Sequence, residues 1–290
     1  MRLILSRKGF DSSAGGCPSP ILPDGSLCVL PIPDRQSDIR YDRVRHGPRR
    51  LGKIAGNLTG GRITGAHGAH LDPDLVTDAY PRLPGWRPVL GQTGSAQGHL
   101  RNQGVSCGDL FLFFGVFRPA EMYRRRWRFV PGSRPVHALW GWLHVGEVHT
   151  IDALAESALP WARYHPHFHG EPDPGNTLYV ASDDFRMPGS RFQSEPLPGS
   201  GVFSHWHPDR MLTDPGGRLP TQWRLPDAFF PAGGRAPLSY HARRDRWQLE
   251  PPYCYLQCAA RGQEFVIDLD AYPDVADWAA GILRTDAGEG

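Results

Sequence analysis

The stretch "GDLFLFFGVFR", Gly108 to Arg118, constrains this chain more than any other: it is an apolar, aromatic-rich run bounded by glycine and too short to span a membrane. A run of that length and make-up reads as a central β-strand, because aromatic and β-branched side chains suit a buried, pleated surface. After a basic insertion, "HALWGWLHVGEVHTI", His137 to Ile151, repeats the pattern, and the glycine inside it predicts a bent or bulged strand. The two are natural neighbours in one sheet.

Little of the remainder can be long helix. With 34 glycines and 29 prolines in 290 residues, turns and irregular connections take a larger share than in an ordinary globular domain. Residues 2–6, Leu27–Ile32, "NTLYVAS", "GSGVFSHW" and "EFVIDL" read as further strands. Residues 152–163 read as a short helix, with Asp152 as cap and Leu154, Ala155, Ala158 and Leu159 at helical spacing, and 273–284 as a closing helix. The sum is an α+β fold: a strand-rich bent sheet or barrel with short peripheral helices. No repeat or low-complexity linker divides it, so a single domain is expected over residues 1–284, followed by a polar tail at 285–290.

Several classes of protein are set aside by composition. No run approaches the roughly 20 apolar residues of a membrane span, and the N-terminal Leu-Ile-Leu is too short for a secretory signal, so a cytoplasmic protein is expected. Five cysteines, Cys17, Cys28, Cys107, Cys254 and Cys258, include no Cys-x-x-Cys pair and read as reduced thiols. The net charge is only +2, but Lys8 and Lys53 are the only lysines. A GC-rich genome explains the arginine bias as a whole; only local clusters bear on phosphate contact, namely Arg43, Arg45, Arg49 and Arg50, and the run Arg124-Arg125-Arg126-Trp127-Arg128.

The first loop is heavily loaded. "SRKGFDSSAGGCPSPILPDG", residues 6–25, carries Lys8, Asp11, Ser12, Ser13, Gly15, Gly16 and Ser19 between two strands. Its glycines and amides are suited to an anion nest, with Lys8 and the serines as further donors. Asp11 is a candidate base or an orienter of a sugar hydroxyl, and an ordinary tight turn stiffened by Pro18 and Pro20 is the alternative. Cys17 is a weak nucleophile candidate without a neighbouring histidine, and Asp109 reads as fixing the turn into its strand.

Further along, "GNLTGGRI" misses the phosphate-binding lysine and the magnesium-binding hydroxyl of a P-loop, which removes an ATPase reading. "HGAHLDPDL" places His70, Asp72 and Asp74 at alternate positions, on one face if the backbone is extended; the competing reading is a helix start with Asp72 as cap and Pro73 in first position. "HPHFHG" offers His165, His167 and His169, and "SHWHP" offers His205 and His207. On extended backbone, His-x-His points both rings to one side, as a divalent transition metal requires. Hydrogen bonding to a base or phosphate and plain turn-forming roles remain open for them, and no deaminase-type His-x-Glu signature accompanies them. Most tryptophans, Trp140, Trp142, Trp161, Trp206 and Trp223 among them, belong in the core; Trp127, inside the arginine run, is the candidate for exposed base stacking.

Two resemblances rest on these motifs. The pair "GDLFLFFG" and "LWGWLHVGEVHTID" resembles the core of PUA-like modules of the EVE and ASCH type, which implies a nucleobase pocket. Across most of the chain, "LSRKGFDSSAGGCPSPI", "GAHLDPDL", "GQTGSAQGHL", "GDLFLFFGVFR", "RYHPHFHG", "WRLPDAFFP" and "LSYHARRDRW" are similar to the nucleotide modification associated domain 3 family, which implies a role in modifying bases in DNA. On that footing the Asp11–Ser19 loop is expected to hold a phosphate or sugar. His165 and His167, with His70 or with Gln97 and His99, would meet the base or a metal, and Arg126 and Trp127 the backbone. The expected partner is nucleic acid, DNA ahead of RNA, or a nucleotide, with no membrane; a non-catalytic reader of modified bases and an enzyme acting on free nucleotides are the alternatives.

Overall fold

The computed structural model describes residues 1–192, 194, 196–259 and 264–287. Nine strands form the main sheet: β1 (Arg2–Arg7), β2 (Ser19–Ile21), β3 (Val89–Gln92), β4 (Leu110–Tyr123), β5 (Arg126–Phe129), β6 (Val136–Thr150), β7 (Thr177–Ala181), β8 (Ser200–Val202) and β9 (Glu264–Asp268). The helices are α1 (Leu51–Leu58), α2 (Gly94–Asn102) and α3 (Pro273–Ala287), with short 3-10 turns between elements. The tail expected from residue 285 begins inside α3; residues 288–290 lie outside the described residues.

The two long apolar stretches are the centre of this sheet. β4 and β6 pair antiparallel, Val136 opposite Phe117 through His144 opposite Leu110, and β1 lies parallel to β4 on its other side, Leu3 opposite Leu110. The order runs β9-β1-β4-β6-β7-β3. The run in β4 is unbroken because both of its faces are buried: Leu110, Leu112 and Phe114 enter one cluster with Leu3, Leu5, Trp223 and α3, while Phe111, Phe113 and Phe117 enter another with Ile4, Tyr179 and Val266. The bulge expected in β6 is present twice. One shift, between Leu139 and Gly141, leaves Trp140 without a partner residue, and the other falls between Val145 and Glu147.

The sheet is bent but open, so the barrel alternative is not what forms. Its end strands β9 and β3 share no backbone ladder; they meet through a side-chain hydrogen bond in which Gln92 Nε2 donates to Glu264 Oε1. This seam lies beside Lys8, whose Nζ is 3.4 Å from Glu264 Oε1.

Three local expectations change. Residues 27–32 do not form a strand. Leu27 makes an isolated bridge to Ile21 and Ile32–Pro33 pairs with Ala69–His70, while prolines at 31 and 33 remove ladder donors; the strand after β1 is instead β2, inside the loaded loop and parallel to β4. Residues 152–163 form two 3-10 turns, Ile151–Ala153 and Pro160–Ala162, because Pro160 has no amide to donate and Leu159 before it is left-handed at φ 48°. No helix starts at Asp72. After Ala69–His70 the chain makes two successive tight turns, in which the Leu71 amide donates to the Ala69 carbonyl at 3.1 Å and the Asp72 amide to the His70 carbonyl at 2.8 Å, and Asp74 bridges to Val89.

Candidate functional site

The seam of the sheet opens into a cleft of about 460 Å³. Arg7, Lys8 and the Asp11 loop form one wall, His70, Asp72 and His167 another, and the start of α2 a third. Each wall follows from local sequence. Lys8 sits where β1 ends. His70 and Asp72 both reach the cleft across two successive γ-type turns, closed by the Leu71 and Asp72 amides on the Ala69 and His70 carbonyls. His167 is carried by the turn Pro166–Phe168, which is 3-10 rather than the extended His-x-His segment expected from sequence.

Both imidazoles are fixed by a second hydrogen bond. His70 Nδ1 lies 2.9 Å from Asp34 Oδ2, and His167 Nδ1 lies 2.7 Å from Asn176 Oδ1. Asn176 Nδ2 donates to the His167 carbonyl at 2.8 Å, so its Oδ1 must be the acceptor and His167 Nδ1 carries the proton. That leaves a lone pair on His167 Nε2, 3.9 Å from Asp72 Oδ2. Burial pushes the His167 pKa down to about 4, against the opposing pull of Asp72, so the ring is neutral near pH 7.

Asp72 is the hub of the cleft. Its side chain is 5% exposed, its Oδ1 accepts the Gly91 amide at 2.6 Å, and His165 Nε2 lies 3.3 Å from the same oxygen. Burial alone would raise this carboxyl, but His165, Lys8 and His167 outweigh it and hold the group well below the ordinary carboxylate value. Gly91 also matters through the side chain it lacks. A Cβ there would lie 2.2 Å from the His167 ring, so the ring can stand beside Asp72 only because residue 91 has none. His165 is fully buried and neither ring nitrogen has an aligned hydrogen-bond partner. His70, Asp72 and His167 are the group of potential metal ligands that converges among the described residues, with one ligand atom from each within 4.8 Å of the others.

In the Asp11 loop, Gly15 and Gly16 adopt the expected left-handed backbone, at φ 84° and 77°. The amides do not form an open nest. Asp11 Oδ1 itself accepts the Ser13 amide at 2.8 Å, the Ser13 hydroxyl at 2.7 Å and the Ala14 amide at 2.7 Å, while Gly16 N donates to the Asp11 carbonyl. Burial pushes the Asp11 pKa up, yet these bonds and Arg7 outweigh it and keep the group below its ordinary value, which suits a loop organiser better than a base. The open donors lie opposite. Asp173 Oδ2 accepts from Thr93 Oγ1 and the Gly94 amide, and Ser95 and Ala96 line the cleft, presenting the positive end of α2.

Other residues singled out in the sequence lie elsewhere. Gln97 Oε1 accepts from the buried Tyr179 hydroxyl, His99 bonds Ser239, and Ser19 Oγ accepts the Leu30 amide in the interior. Ser12 is exposed and does not line the cleft. His169, His205 and His207 are exposed and outside the converging group: His205 contacts Ser204, and His207 accepts the Asp209 amide. Trp127 is 7% exposed rather than a surface stacking platform, packed with Tyr41, Leu51 and Ile54; its amide donates to Asn57. Arg126 does reach the surface, beside a β4–β5 turn whose Arg124 and Arg125 are both left-handed, at φ 47° and 66°. Burial pushes the Cys17 thiol up to about 11, the reverse of activation. Asp109 fixes its turn as expected, accepting the Arg2 amide at 2.7 Å and the Ser106 amide at 2.9 Å. Asp74 is locked away from the cleft by Arg82 and Tyr164.

On the far side of Asp72 lies an apolar cavity of about 140 Å³. It shares Gly9 and Asp72 with the cleft and is lined by Val29, Leu71, Phe203 and Trp140, the bulged residue of β6, whose indole N–H has no partner.

The fold and site together define an α+β protein whose open-sheet seam carries a histidine- and carboxylate-lined cleft back to back with an apolar cavity. The chain belongs to the nucleotide modification associated domain 3 family, whose model matches residues 2–268. No curated protein and no solved structure matches it. Among the described residues no helix is long and apolar enough to cross a membrane.

Proposed function

We propose that this protein recognises or modifies a nucleotide base, with the base in the apolar cavity and the sugar-phosphate in the polar cleft. The observation that carries this reading is that the two compartments share Gly9 and Asp72. A nucleotide has the same division: a planar, largely apolar base joined to an anionic, hydroxylated half. Trp140 offers the base an aromatic wall in an apolar setting, which suits a planar ring. Lys8 and the first turn of α2 offer the phosphate a cation and helix amides.

The β4–β5 hairpin favours a polymer over a free monomer. Its tip holds three exposed arginines in sequence, Arg124, Arg125 and Arg126, and two of them occupy backbone angles that an asparagine or glycine would take at lower cost. Retaining arginine there suits contact with a phosphate backbone. The test is a mass-spectrometric census of DNA and RNA nucleosides from cells with the gene intact, deleted, or encoding Asp72→Ala. Loss of the same nucleoside in both altered strains supports modification. Three identical profiles overturn it, and binding without turnover then assigns the pocket to a reader.

A further inference from the structure

We propose that His70, Asp72 and His167 form a binding site for one divalent transition-metal ion, distinct from the five-histidine set suggested by the sequence. Their ligand atoms lie within 4.8 Å of one another. In a filled site with bonds of about 2.1 Å, neighbouring donors stand roughly 3 to 3.5 Å apart, so the group closes with side-chain shifts of roughly 1 Å.

The chemistry of the surroundings is that of ligands held ready. Each imidazole has one nitrogen engaged by an oxygen acceptor, His70 by Asp34 and His167 by Asn176, which is how ligating histidines are oriented and their tautomer fixed. The carboxylate is steadied through Oδ1 by the Gly91 amide, leaving Oδ2 on the His167 side. The missing Cβ of Gly91 is the space the His167 ring occupies. An independent observation points to the same place. His165, fully buried and without an aligned partner for either nitrogen, directs Nε2 to within 3.3 Å of Asp72 Oδ1. A buried ring is costly unless a polar group answers it, and Asp72 is the group it faces, so His165 helps to hold the carboxylate in place.

Two imidazoles and one carboxylate select borderline ions such as iron(II), cobalt(II) or zinc(II) over calcium or magnesium, which prefer all-oxygen shells. Three protein donors also leave coordination positions open toward the cleft. The inference goes beyond the nucleotide reading and stands or falls separately from it.

The experiment is titration of chelator-stripped full-length protein with cobalt(II), followed by its d–d absorption and by calorimetry, with zinc(II) as competitor. One equivalent is expected to bind. Affinity should fall at least 100-fold in His70→Ala and in Asp72→Asn, and about tenfold in Asp34→Ala, which leaves all three donors in place but frees the His70 ring. A triple variant, His169→Ala, His205→Ala and His207→Ala, should keep full stoichiometry and affinity. Thermal melts establish that each variant is folded, and the Asp34 variant carries the test if His70→Ala or Asp72→Asn fails to fold. Absence of a saturable equivalent in the wild-type protein, or its loss in the triple variant alone, overturns the proposal. Nucleotide binding measured in the presence of chelator reports separately on the proposed function.

Discussion

Gly91→Ala tests the architecture of the cleft with a single methyl group. Gly91 lies in β3, paired with Leu178, and its backbone is ordinary extended strand, so alanine can take up the backbone without strain. The added Cβ would lie 2.2 Å from His167 Cδ2, 2.5 Å from Cγ and 2.6 Å from Nε2, whereas ordinary contact begins near 3.4 Å. The ring must therefore retreat by more than 1 Å. It is also pinned at Nδ1 by Asn176 at 2.7 Å, so retreat breaks that bond and swings Nε2 away from Asp72. Overpacking costs about 1 to 3 kcal/mol and a lost hydrogen bond about 1 kcal/mol. For a chain of this size that is a fall in Tm of roughly 2 °C per kcal/mol. Cobalt(II) affinity should drop more than tenfold. The companion Gly91→Ala/His167→Ala variant removes the clash, so its Tm should exceed the value expected from adding the two single effects. A Gly91→Ala protein that melts and binds cobalt(II) like the wild type would refute the assignment of His167 to this place.

Three other outcomes follow from the same structure. Burial holds the His137 pKa down to about 3 and the His241 pKa down to about 4, so both rings stay neutral in the folded protein; stability should be full above about pH 6.5 and decline as pH falls toward 4, and urea unfolding free energies that stay flat across that window would contradict it. Arg124→Asn with Arg125→Gly should raise Tm by relieving two left-handed arginines while lowering oligonucleotide affinity and the slope of log K against log salt by about 1 to 2, with mononucleotide binding unchanged; an unchanged slope removes the hairpin from the interface. Asp11→Ala should weaken nucleotide binding several-fold by releasing the Ser13 and Ala14 amides, whereas Asp11→Asn, which keeps Oδ1 as an acceptor, should stay near wild type in the same titration.

Sheet-forming residues were legible because their patterns are local. The apolar runs that became β4 and β6 needed no partner to be read, and each bulge of the second falls at a glycine, Gly141 or Gly146. What failed was also physical. The helix expected at 152–163 had the right spacing, but Pro160 breaks the amide ladder, and the strand expected at 27–32 contains Pro31 where a ladder needs a donor. In the site, Lys8, Asp11, His70 and His167 stood out as residue types that need a reason to be there, and all four line the cleft. Asp72 was ambiguous because Asp-Pro-Asp reads equally as a cap; what places it is the tertiary pairing of Ala69–His70 with Ile32–Pro33 and the two tight turns that follow, neither of which has a local sequence signal. Asp34 and Asn176, which orient the two rings, carry no sequence signal, being 36 and 9 residues from the histidines they hold. The start of α2 did have one: Thr93-Gly-Ser is a helix-entry pattern, one turn ahead of Gln97 and His99.

The central claim is that a nucleotide spans the two compartments at Asp72, and calorimetry with a nucleoside, the matching mononucleotide and inorganic phosphate tests it most directly. The mononucleotide should bind at least tenfold more tightly than either part. Trp140→Ala, which removes the aromatic wall of the cavity, should cost about tenfold in binding the nucleoside and the nucleotide alike. Lys8→Met, made together with Glu264→Gln so that no charge is left buried alone, should weaken the nucleotide and spare the nucleoside. A mononucleotide that does not bind, or that binds with the same affinity in both variants, would contradict the account.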